Sequence, residues 1–134
     1  MATEDREIIL RIAQTIEHKY LRVAAIREMA GSEENYRLII REIDRVKAQL
    51  IRARACHAVA TLTVVEWFTI LERFDWKCAY CQEKPFRALS HIISQREGGT
   101  TATNCVPACH SCIPRPDKKL VLSRMSHPQQ TELS

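Results

Sequence analysis

No apolar run in this 134-residue chain approaches the roughly 20 residues that a membrane-spanning helix requires. The opening stretch, MATEDREIIL, starts acidic and lacks the basic, apolar and small-residue layout of a secretory leader. Both absences argue for a cytoplasmic protein that makes no use of a membrane. There is no internal repeat and no long low-complexity segment, so neither a repeat array nor a disordered linker is expected. Strong charge is missing too. The net charge is +4 and the sequence pI about 8.8, which permits nucleic-acid binding without establishing it.

What is present suffices for a folded domain, or for a small domain with a helical extension. The chain is 46% hydrophobic and 27% charged. Its six cysteines, in a reducing compartment, read first as metal ligands or buried thiols rather than disulfides.

Helical periodicity dominates the first half. Ile9, Ile12, Ile16, Tyr20 and Val23 fall on one stripe and predict a helix over residues 3–30, with Thr3 as its cap and Glu4, Asp5 and Glu7 at its positive end. Gly31-Ser32 reads as a stop followed by a new cap. A second helix over residues 33–58 carries the seam Ile39, Ile43, Val46, Leu50 and Ala53, with His57 next in line. The seam must bury itself, either against the first helix as an antiparallel hairpin or against a second chain. Arg37, Arg41 and Arg45 line another side of this helix. They read either as a solvated face or as a stripe that tracks phosphates, and no aromatic residues interleave with them to stack on single strands. Thr63-Val64-Val65-Glu66 is a capping box opening a third helix, whose apolar face is Trp67, Ile70, Leu71 and Phe74.

Past Asp75 the character changes. Cys78-Ala79-Tyr80-Cys81 and Cys109-His110-Ser111-Cys112 are two CxxC pairs separated by residues 82–108. Two thiolates at that spacing reach one zinc from a tight knuckle, and two knuckles complete a tetrahedral site with no open position. Such a zinc is structural and contributes on the order of 10–16 kcal/mol in small zinc peptides. Cys56 and Cys105 fall outside this frame and read as buried thiols. The residues form an α+β, mostly helical chain with three parts. These are a helical hairpin or interaction arm (residues 1–60), a zinc-stabilised module (61–120) and a polar tail (121–134).

Between the pairs lies RALSHIISQREGGTTATNCVPA. The order CAYC, His91 closing a short strand, Gly98-Gly99-Thr100, Asn104, a second short strand and CHSC resembles the HNH endonuclease family, in the subclass whose ββα-metal core is clamped by four cysteines. The lead-in TVVEWFTILERFDWKCAYC is similar as well, and the resemblance covers about residues 61–120. It implies phosphodiester hydrolysis, with DNA ranked ahead of RNA as substrate. His91 would be the base that activates water, and Asn104 would steady His91 and its loop. Lys118 and Lys119 match the basic, phosphate-contacting end of the last helix. A magnesium-like cation beside the histidine is also implied.

Two positions depart from the family pattern. Ser90 stands where the family has a metal-binding aspartate, and Ile113 where it has an asparagine or histidine. A hard cation wants carboxylate oxygens, so the catalytic metal site is degenerate. Pro114 and Pro116 crowd the start of the helix that should carry the third ligand. Asp117, four residues past Ile113, is the compensating ligand to consider beside Ser90. Three functions follow: an HNH-type nuclease with an impaired metal site, a non-catalytic module that binds nucleic acid or docks into a nucleoprotein assembly, and a structural zinc protein dimerising through residues 3–58.

Overall fold

Residues 3–30 form two helices rather than one. In the computed structural model, which describes residues 2–112, α1 spans Thr3–His18 and α2 spans Val23–Ala30. Lys19 and Arg22 are both extended between them. The apolar stripe breaks at the same place: Tyr20 is 86% and Val23 55% exposed, whereas Ile9, Ile12, Ile26 and Ala30 are buried. A physical reason is length. A straight helix over 3–30 would run about 42 Å. The helix that α1 packs against has ten residues, so it is only about 15 Å long. Bending at 19–22 returns Ile26 and Ala30 to the core. Ala2, not Thr3, is the cap of α1, and no side chain caps it.

α3 (Glu33–Ala55) starts as its sequence indicates. Gly31 takes a left-handed φ of 78°, and the Ser32 side chain accepts from the Asn35 N–H. Ile39, Ile43, Val46 and Ala53 of the expected seam are buried, and Leu50 is partly buried. The helix stops at Ala55, leaving His57 exposed at a φ of 60° and off the seam. Asn35 is buried and donates to Asp5 of α1 at 2.9 Å and to the Ala30 carbonyl at 3.2 Å, pinning three helices together.

α4 (Val64–Arg73) opens on the complete Thr63–Glu66 capping box and buries Trp67, Phe68, Ile70 and Leu71. The pairing of helices differs from a simple hairpin. α2 packs on α3, but α1 packs chiefly on α4 and only lightly on α3. An Arg6–Asp75 ion pair at 2.7 Å reinforces the α1–α4 contact. α4 presents the apolar side chains Trp67, Phe68, Ile70 and Leu71, all buried in the common core with Ile9 and Ile12 of α1.

The remaining elements are short: β1 (Ala88–His91), the one-turn α5 (Gln95–Gly98) and β2 (Cys105–Ala108). The strands pair antiparallel, with Ala88 opposite Ala108 and His91 opposite Cys105. The linker from α3 is stitched to the loop between the strands. Thr100 N–H donates to the Val59 carbonyl, and its own carbonyl accepts from Thr61 and Leu62. A single apolar core runs from Ile9 and Ile39 through Trp67 and Phe74 to Leu89 and Val106, and a smaller cluster gathers Cys78, Ala108, Cys109 and Cys112. Among the described residues no helix is long and apolar enough to cross a membrane.

Candidate metal centre and histidine hairpin

The first CxxC sits in the turns after α4. Cys78 N–H donates to the Lys84 carbonyl, closing the knuckle, and Ala79 N–H donates to Pro107 of β2. The second CxxC follows β2 directly, with Cys112 N–H on the Cys109 carbonyl. The hairpin thus carries both knuckles at one end. The ligand atoms of Cys78, Cys81, Cys109 and Cys112 all lie within 4.8 Å of one another. Cys81 and Cys109 sulfurs are 3.9 Å apart. A tetrahedral zinc with sulfurs at 2.3 Å needs an edge of about 3.8 Å. A disulfide would need about 2.05 Å. The four residues can therefore hold a metal such as zinc.

Electrostatics agrees with that donor set. Burial opposes ionisation of Cys81, but the Lys84 and Glu83 backbone and the Cys78 and Cys109 thiols bring it down to about 7. Cys109 is also lowered, against its burial, chiefly by Cys112. Burial, and then Cys109 and Cys78 beside it, push Cys112 up to about 12. Thiolates this close repel one another, and a divalent cation removes that conflict. Cys105 lies outside the cluster, and burial pushes it to about 12. Cys56 also lies outside it, with its thiol on the Ala53 carbonyl at the end of α3.

His91 ends β1 at the opposite end of the hairpin, half-buried. Its Nε2 lies 2.9 Å from the Thr100 hydroxyl. Gln95 donates to that hydroxyl at 2.8 Å and to the Gln49 carbonyl of α3 at 3.0 Å. Burial holds the imidazole below its ordinary value, which favours its neutral form. With Nε2 committed to Thr100, Nδ1 is the ring atom left to accept a proton. That role requires the hydrogen on Nε2, donated to Thr100.

Asn104 acts on the loop rather than on the histidine. Its amide donates to the Ile93 and Gly99 carbonyls at 2.9 and 2.8 Å, and its oxygen accepts from Ile93 N–H at 2.8 Å. The two glycines make room for this lock. A Cβ on Gly98 would stand 2.6 Å from the Asn104 amide nitrogen. Gly99 has a φ of 76°, and its Cβ would meet the Val59 carbonyl at 2.6 Å.

Ser90 and His91 are successive residues of β1, so their side chains project to opposite faces of the hairpin, that of His91 toward Thr100. Among the described residues the only cluster of three or more metal-ligating side chains is the four-cysteine one. No such cluster among the described residues includes His91. Ile113, Pro114, Pro116, Asp117, Lys118 and Lys119 lie outside the described residues.

The arginine stripe divides. Arg37 pairs with Glu33 at 3.8 Å. Arg45 is structural. It binds the fully buried Glu42 at 2.7 Å, donates to the Arg87 carbonyl at 2.8 Å and lies over the Phe86 ring. Trp67 Nε1 donates to the same carboxylate at 2.9 Å. Arg41 reaches Glu42 only at 3.6 Å and is 62% exposed.

Sequence reasoning missed Thr100 as the partner of His91, and Gln95 and Gln49 as the residues that continue the chain from Thr100. Thr100 directly follows the glycine pair, which is a usable signal. Gln49 is distant in sequence and carries none. It missed Glu42 as a buried ion because a glutamate between arginines reads as a surface pair. No protein-family model, no curated protein and no solved structure matches the chain.

Proposed function

We propose that this chain is a nucleic-acid-acting module of the HNH type, clamped by one structural zinc and impaired as a nuclease at its metal-binding half. The observation that carries the reading is the hairpin itself. Two CxxC pairs meet at one end, and at the other a half-buried His91 is held by Thr100 while Asn104 locks the intervening loop. That is the chain order of the motif, brought into one compact unit. In this reading His91 Nδ1 accepts a proton from water, Thr100 fixes the tautomer, and Asn104 keeps the loop in place. Zinc, when bound, supplies rigidity.

A second reading, binding without hydrolysis, has specific support. Ser90, next to His91, has no carboxylate to offer a hard cation and projects to the other face of β1. One experiment serves both. The zinc-loaded chain is mixed with a labelled DNA duplex at rising salt, and with supercoiled plasmid in magnesium, manganese or nickel. Steep salt-dependent binding supports the shared part. Nicking abolished by His91→Ala supports the nuclease, and binding with no nicking in any metal supports the second reading. A folded, zinc-loaded chain that binds no duplex at low salt contradicts both.

A further inference from the structure

Along α3 and the segment ahead of β1, three open cavities adjoin one another through shared lining residues. The central one, about 330 Å³, lies between Arg41, Glu42 and Arg45 of α3 and Pro85, Phe86 and Arg87 ahead of β1. It shares Arg41 with a cavity of about 400 Å³ that reaches Arg37, Glu33 and Glu34. It shares Pro85 and Arg87 with one of about 250 Å³ that reaches Lys84 and the second knuckle at His110 and Ser111.

Charge along this groove is uneven. Glu42 lines the central cavity, but its carboxylate has no solvent exposure and is satisfied by Arg45 and Trp67, so that pair is close to neutral. Arg41 keeps most of its surface in solvent and touches Glu42 only at the edge of ion-pair range. Arg87 is exposed, and its guanidinium enters no ion pair among the described residues. Lys84 donates to the Ser111 hydroxyl at 3.1 Å, a neutral partner that leaves its charge in place. Arg87 and Lys84, with no ion pair among the described residues, and the exposed Arg41, which shares the buried Glu42 with Arg45, form a row of cations spanning the joint between α3 and the metal centre. Glu33 and Glu34 close it at the far end. Phe86 and Pro85 give the middle an apolar wall.

We propose that this groove binds the sugar–phosphate backbone of a nucleic acid, with Arg41, Arg87 and Lys84 on successive phosphates. A line of separated cations in an open trough suits a polyanion better than a small ligand, which would need convergent groups in a closed pocket. The arginine forks match phosphate oxygens. The proposal rests on the nucleic-acid reading above and adds to it the surface that grips. Contacts of this kind position a strand and carry no sequence information.

The test is fluorescence anisotropy of a labelled duplex with the zinc-loaded chain across a salt series. Arg87→Ala should lower the slope of log affinity against log salt by about 0.9, which is roughly an eightfold loss at 0.1 M salt. Arg41→Glu/Lys84→Glu/Arg87→Glu should lose binding altogether, while Arg11→Ala on α1 should not change it. Zinc content and far-UV circular dichroism are checked for each variant. If the wild type binds and the folded triple variant binds equally well, this groove is not the site, although the nucleic-acid reading stands. If the folded wild type binds no duplex, that reading falls first. If polyglutamate binds as tightly as the duplex and is lost in the same variant, the assignment to phosphodiesters is overturned.

Discussion

Glu42 shows how a single residue can look ordinary in sequence and be decisive in the fold. It is fully buried, yet it accepts from Trp67 and forms a close pair with Arg45, whose side chain is 20% exposed. Removing one partner of such a pair leaves an uncompensated buried charge, at a cost of about 3–5 kcal/mol. Arg45→Ala should therefore destabilise the chain by that order, read by chemical denaturation. Arg37→Ala, on an exposed pair, should change stability by less than about 1 kcal/mol. His91 gives a second residue-scale prediction. Its folded-state value lies below 6.5 because burial disfavours the cation. The unfolded chain then binds more protons in that window, so the contribution of His91 to stability is present above about 6.5 and lost as pH falls through the folded value. A nuclear magnetic resonance titration of the His91 ring should give a midpoint below 6.5, and a midpoint at or above it would contradict the buried, Thr100-bound ring.

At the scale of elements, the loop between the strands depends on two glycines for different reasons. Gly98→Ala would drive a methyl into the Asn104 amide. Gly99→Ala would place a left-handed alanine against the Val59 carbonyl, which costs roughly 1–3 kcal/mol in backbone strain alone. Both should reduce amide-exchange protection at Ile93 and Thr100, with Gly99→Ala the more destabilising in a thermal melt. Unchanged protection in both would mean that Asn104 is not the lock. The elements also mark how far the sequence could be read. The Ser32 cap, the Thr63–Glu66 box and the CxxC pairs are local signals, and each appears where its residues stand. The break at 19–22 is not local. Apolar periodicity runs on through Tyr20 and Val23, yet the helix ends at His18 and both side chains lie exposed, while Ile26 and Ala30 beyond the break are buried. The Gln49–Gln95–Thr100–His91 chain was invisible for the same reason, because α3 and the loop meet only in the folded molecule.

At the scale of the whole molecule, two clusters divide the work. The large core joins α1–α4 to the hairpin, and none of the four metal-centre cysteines belongs to it. The small cluster is built from them. Stripping the metal with a chelator should release about one zinc per chain and leave most of the far-UV helical signal. Order in the hairpin and duplex binding should be lost together. Complete unfolding on chelation would instead mean that the helices depend on the knuckles. Simultaneous Cys81→Ser and Cys109→Ser substitution should reproduce the chelated state. The central claim is that the zinc-clamped hairpin, with the groove beside it, engages nucleic acid. The most direct measurement is duplex binding by the zinc-loaded chain at low and moderate salt. The account predicts clear binding at low salt that falls steeply as salt rises, and a folded, zinc-loaded chain with no affinity for duplex at low salt would contradict it.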